Sequence, residues 1–270
     1  QGNVQPGRQR RIHIFLLAAP GMVAAGRMGM IIRNHKISSF FTFFTHYTTF
    51  FTKCNVVTGD ISMKDFPVFT TENGVASLIL KEVPYRGEAY IHLRDSQDPK
   101  ALLEECVSFC AACGAEKIYA SGSEILEEYP PHTAIFEMRG IPNVEEALIE
   151  SLFPVTEATV SRWRALYNEA MSAVDNAGTL ESRDEARLLE GGAYFVHHRG
   201  ELLGIGYLRE DCIEAIVAAF PGAGKRVLHS LASVSPGVPL RLEVAGTNER
   251  AIALYEKIGF LKVRELSRWY

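Results

Sequence analysis

A chain of 270 residues with 47% apolar and 22% charged side chains has the makings of one large or two small globular domains. Its net charge of −4 gives no reason to expect a nucleic-acid footprint, which would need a concentrated basic face. Five cysteines in no paired pattern argue against a disulfide framework and fit a reducing, cytoplasmic setting.

Gly7-Arg8-Gln9-Arg10-Arg11 followed by the apolar run Ile12 to Gly26 has the shape of a signal peptide. The run is too short for a membrane span, and no membrane partner is expected. Residues 38–52 form a Phe/Thr tract of high β-propensity and almost no charge, without turn chemistry to organise it. Residues 1–62 therefore read as a poorly ordered extension, or alternatively as an aromatic segment that packs on a partner or a membrane surface.

Residues 63–143 read as a small α/β domain. Val75 to Val83 and Glu88 to Arg94 are predicted strands joined at Pro84-Tyr85-Arg86-Gly87, a hairpin pattern. Asp98-Pro99 opens a helix, with Asp98 as N-cap. Leu102, Leu103, Cys106, Val107, Cys110 and Cys113 are expected on its apolar face, and Gly114 ends it. The cysteine spacing is not that of a zinc knuckle, so buried thiols are expected and no metal. Lys117 to Ala120 and Thr133 to Met138 are further strands, and a short helix is predicted from Val144 to Leu152.

From about residue 150 a second domain begins. The order is helix (Thr156 to Asn176), short helix (Asp184 to Leu189), hairpin (Ala193 to His198, Leu202 to Arg209) and strand (Cys212 to Phe220). A glycine loop then leads into a helix (Lys225 to Ser233), a strand (Leu240 to Ala245), a helix from Asn248 to Gly259 and a last strand from Phe260. Between Asn248 and Phe260 the sequence describes a capped amphipathic helix. Ala251, Leu254, Tyr255 and Ile258 form its apolar face, Lys257 complements its C-terminus, and Gly259 supplies a left-handed exit.

Asn248, Ala251 and Leu254-Tyr255-Glu256-Lys257-Ile258-Gly259-Phe260 together closely resemble the closing motif of the GNAT superfamily of acyl-CoA-dependent N-acyltransferases, with its spacing kept whole. Gly222-Ala223-Gly224, after a strand and before a helix, resembles the family's acyl-CoA loop, although Ala219 stands where the family has Arg or Gln. Glycines there let the backbone approach a pyrophosphate, and helix N–H groups point at the anion.

The resemblance covers residues 156–270 and implies a mixed, mostly antiparallel central sheet with flanking helices, an α/β fold preceded by the smaller domain. That smaller domain is read as a degenerate half of the same fold. The resemblance also implies that the sheet splays between Cys212–Phe220 and Leu240–Ala245, where the pantetheine arm would pair. Acetyl-CoA would be the cosubstrate, held by Val217, Ala218, Ala219, Gly222, Ala223, Gly224, Lys225, Asn248 and Tyr255. An amine of a small molecule or protein would be the acceptor, and a homodimer is left open.

In the implied mechanism an N–H among Val217 to Ala219 polarises the thioester carbonyl. Tyr255 matches the family's acid, and Glu214 or Glu243, each on a predicted central strand, is the candidate base. Two other readings stand beside this one: a non-catalytic acyl-CoA-binding regulatory module, and a purely structural interaction domain.

Overall fold

The computed structural model describes residues 68–270, so the basic–apolar opening and the Phe/Thr tract lie outside the described residues. These divide into two compact units, residues 68–130 with Tyr270, and residues 131–269. Among the described residues no helix is long and apolar enough to cross a membrane.

The first unit holds β1 (Val68–Thr71), β2 (Gly74–Ile79), β3 (Glu88–Ser96), α1 (Pro99–Ala112) and β4 (Lys117–Ser121). Its sheet runs β1-β2-β3-β4, antiparallel until β4, which lies parallel to β3 after the α1 crossover. The expected hairpin forms, its link tightened into a helical turn (Val83–Arg86) that Gly87 closes at φ 67°. Asp98 caps α1, accepting from the Ala101 N–H at 3.0 Å. Leu102, Leu103, Cys106 and Cys110 pack on Phe69, Leu78 and Ile91, and burial pushes both thiols up to about 12. Val107 and Cys113 depart from the expected apolar face and are exposed. Val107 is rotated about 100° from Cys106, and Cys113 follows the last helical residue.

The second unit contains β5 (Thr133–Gly140), β6 (Ser151–Pro154), α2 (Val160–Met171), α3 (Glu185–Leu189), β7 (Ala193–His198), β8 (Glu201–Arg209) and β9 (Cys212–Ala218). Then come α4 (Gly224–Ala232), β10 (Leu240–Ala245), α5 (Glu249–Ile258) and β11 (Leu261–Trp269). Its seven-stranded sheet runs β11-β5-β10-β9-β8-β7-β6, and only β9 and β10 are parallel neighbours. This is the mixed, mostly antiparallel sheet expected.

Two elements differ from the sequence reading. The strand at 133–140, assigned there to the small domain, is inserted between β10 and β11 and pairs antiparallel with both. Its alternation of Phe136 and Met138 against Glu137 suits either sheet; only the partner strands decide between them. The predicted helix from Val144 to Leu152 is a 3₁₀ turn (Glu146–Leu148) followed by β6. The Glu145 N–H donates to His229 Nδ1 at 3.0 Å and the Glu150 N–H to Ser230 Oγ at 2.8 Å, so α4 side chains fix both ends of the segment, and the second takes a donor that a helix would have bonded to Glu146.

Each face of this sheet has its own core. On one side Leu228 and Leu231 of α4, Ile252 and Ile258 of α5 and Phe260 pack on Met138, Leu242 and Val244. On the other, Trp163 and Tyr167 of α2 and Leu188 of α3 pack on Ala193, Ile205, Tyr207, Ala215 and Val217. Trp163 is fully buried and satisfies its indole N–H on the Tyr194 carbonyl at 3.1 Å.

Candidate active site

β9 and β10 pair only through Arg241↔Cys212 and Leu242↔Ile213. Beyond these residues β9 continues along β8 to Ala218 and β10 along β5 to Ala245, without pairing with each other. The sheet therefore parts between two neighbouring strands, each still supported on its outer side.

Ladder alternation fixes which backbone groups face the gap. The Ala219 N–H donates to the Leu203 carbonyl at 2.8 Å, so Ala219 and, two residues back, Val217 belong to hydrogen-bonded pairs with β8. Ala218 and Ile216, opposite Gly204 and Gly206, are the intervening non-bonded pairs, and their amides point away from β8 toward β10. Within the expected stretch Val217 to Ala219 it is thus the Ala218 amide that faces the gap, while those of Val217 and Ala219 are taken by β8; Ile216, outside that stretch, faces the gap as well. Across the gap the Gly246 N–H donates to Ala134 at 2.7 Å, which makes Ala245 and Glu243 non-bonded pairs with β5. Their backbone groups also face β9.

Glu214 sits at a β-bulge: Tyr207 pairs with Ala215 and Leu208 with Ile213, leaving Glu214 as the extra residue. The bulge breaks the alternation assumed from sequence. Glu214 is buried, accepts from Arg187 Nη2 at 2.6 Å on both carboxylate oxygens, and accepts from Arg209 Nε at 2.9 Å. Burial pushes its pKa up against the pull of these guanidiniums. It anchors α3 to β9 and is not an open base, which corrects its candidacy.

Glu243 has a different setting. Leu240, Leu242 and Val244 face α4 and α5, so Arg241 and Glu243 lie on the other face of β10. Glu243 makes no hydrogen bond among the described residues. Burial first, and then the carboxylate of Glu137, push its pKa up to about 7.

Tyr255 projects from α5 into the core on the opposite face, its ring 6.1 Å from that of Phe260. Burial pushes its phenol up to about 12, so it stays protonated at neutral pH. Asn248 caps α5 by accepting from the Ala251 N–H at 3.2 Å, and Gly259 leaves the helix at φ 108°.

The glycine loop meets both other parts. A Cβ on Gly224 would lie 3.4 Å from Leu254 Cδ2 and 3.8 Å from Ala218 Cβ. The first intrahelical bond of α4 runs from Val227 to Ala223, and no side chain caps its N-terminus. The amides of Gly224, Lys225 and Arg226 are thus left without partners inside the helix. Lys225, read from sequence as an acetyl-CoA contact, forms an ion pair with Glu145 at 2.8 Å, between two half-exposed side chains. Gly222 has φ 95° with open space around it. Gly222→Ala is expected to cost about 1 kcal/mol from backbone strain alone, measured as a lower denaturant midpoint at unchanged m-value.

No protein-family model and no curated protein matches the sequence. Solved structures align with the fold. An acetyltransferase of the GNAT family from Colwellia psychrerythraea aligns at 14% identity over 87% of this chain and 97% of its own, with a TM-score of 0.45. A GCN5-related N-acetyltransferase from Anabaena variabilis aligns at 12% identity over 77% of this chain and 62% of its own, with a TM-score of 0.49. Another, from Sphaerobacter thermophilus, aligns at 12% identity over 73% and 76%, with a TM-score of 0.44.

Proposed function

We propose that the second unit is an N-acetyltransferase that moves an acetyl group from acetyl-CoA to an amine. The observation that carries this reading is the parting of β9 and β10 beyond Ile213 and Leu242, which leaves main-chain donors directed into a gap in the sheet. A pantetheine arm is an extended amide chain and can pair with such an edge. The uncapped start of α4 supplies further N–H donors for a pyrophosphate.

In the proposed step the amine nitrogen attacks the thioester carbonyl carbon. The C–N bond forms and the C–S bond breaks. The amide of Ile216 or Ala218 stabilises the developing oxyanion. Glu243, with a proton affinity near neutrality, accepts the proton that the amine gives up. The protonated phenol of Tyr255 donates to the departing CoA sulfur. Glu243 and Tyr255 lie on opposite faces of the sheet, so acid and base would approach the thioester from its two sides.

Acetyl-CoA at 100 times its Kd is expected to add about 2.7 kcal/mol of stability. Turnover with a panel of amines separates an enzyme from a non-catalytic acyl-CoA-binding module, the alternative that Ala219 suggests. Tyr255→Phe is expected to lower kcat about ten- to a hundredfold, the worth of a hydrogen bond to a charged group. No thermal shift at millimolar acetyl-CoA would overturn the proposal; a shift without turnover would leave the binding module.

The first unit is read as a diverged half of the same fold. In both units a helix connects two parallel strands, β3 to β4 through α1 and β9 to β10 through α4. In the first, Gln97-Asp98-Pro99 stands where the second has its glycine loop.

A further inference from the structure

Glu137 has no role in the transfer step, yet it lies directly opposite Glu243 in the β5–β10 ladder. The Gly246 to Ala134 bond makes this a non-hydrogen-bonded pair, the kind whose side chains approach most closely. Both carboxylates lie on the face away from α4 and α5. Glu137 is 4% exposed and is clamped by Arg139 Nε from its own strand and by Arg264 Nη2 from β11 at 2.8 Å. Two guanidiniums hold it ionised, and its carboxyl lies below the usual range although burial opposes this.

Like charges directly opposite across a ladder repel, and the repulsion falls on the partner that lacks a clamp. That partner is Glu243. The other charged groups that act on it are Arg241 on its own strand, Arg264 on β11 and Glu214 on β9. Arg241 is occupied by Asp211 at 3.0 Å, and Glu214 by Arg187 and Arg209.

We propose that Glu137 is a positioning residue whose fixed negative charge governs when Glu243 releases its proton, and so sets the acidic limit of the transfer reaction. This rests on Glu243 as base. It adds that the strand inserted from outside the contiguous 150–270 segment tunes the site.

The test compares kcat/KM against pH for the full chain and for Glu137→Gln, Arg264→Gln and Glu243→Gln. It is paired with a ¹³C-NMR titration of the glutamate carboxyl carbons, with Glu243 assigned by its loss in Glu243→Gln. Glu137→Gln is expected to move the acidic limb and the Glu243 midpoint down by about one pH unit, raising kcat/KM at about pH 5.5 several-fold. Arg264→Gln removes a positive charge and is expected to move both up. Opposite shifts cannot come from loosened packing, which would act in one direction. An unmoved Glu243 midpoint in Glu137→Gln, or shifts of one sign in both variants, overturns the proposal. Glu243→Gln with the wild-type rate overturns the base assignment alone, since the titration still reads the coupling between the two carboxylates.

Discussion

Glu243→Gln is expected to lower kcat by about 10² to 10⁴, the usual worth of a general base, while making the folded protein more stable at pH 8. The two effects share one cause. In the folded state Glu243 holds its proton up to about pH 7, whereas in the unfolded chain it releases it near the ordinary value of 4.5. Between these values the native state binds more protons than the unfolded state, so stability falls as pH rises through the window and is constant above it. The amide that Glu243→Gln introduces cannot ionise and escapes this loss. At pH 8 the variant is expected to gain on the order of 2–3 kcal/mol over the wild type. At pH 3, where Glu243 is protonated in both states, the difference should vanish. Urea unfolding at the two pH values measures it. Equal stabilities at pH 8 would mean that Glu243 is not desolvated, and loss of stability there would mean that its carboxylate is paired in the fold. A fully active variant would remove Glu243 from the mechanism.

Gly140→Val is expected to damage the fold more than any substitution at an exposed glycine. A Cβ at Gly140 would overlap the Gly259 carbonyl oxygen and lie 2.8 Å from Gly259 C and 2.9 Å from Phe260 Cα. All three atoms are backbone, and Gly259 is the left-handed exit of α5, so neither side can yield by rotating a side chain. Either β5 slides from its register with β10 or the motif helix shifts. The cost is expected to be about 3 kcal/mol or more. Gly200→Ala is the control: it has φ 88° and nothing within 4 Å, so only the left-handed backbone is strained, at about 1 kcal/mol. Chemical denaturation of both should separate them, and near-equal midpoints would show that β5 does not abut the end of α5. Because Glu137 lies on the same strand, Gly140→Val is also expected to release Glu243 from its neighbour and shift the acidic limb of any remaining activity.

Local chemistry was legible in the sequence. Asn248 accepting from Ala251, Gly259 at positive φ, and Asp98 capping behind Pro99 are each decided within a few residues by one side-chain acceptor or one absent Cβ. The element order from Ala193 to Phe260 followed from hydrophobic period and turn residues for the same reason. What lay beyond the sequence depends on non-local pairing. The alternation of Phe136-Glu137-Met138 is satisfied on any half-buried sheet, and only pairing with Leu242, Glu243 and Val244 makes Glu137 a neighbour of the proposed base. The bulge at Glu214 carries no signature of its own, yet it turned one candidate carboxylate toward Arg187 and changed which β9 amides face the gap. Chain composition determined that such strands and helices form. Tertiary contacts alone determined which edges meet, because a strand's faces are written in its residues while its partners are chosen by burial elsewhere in the chain.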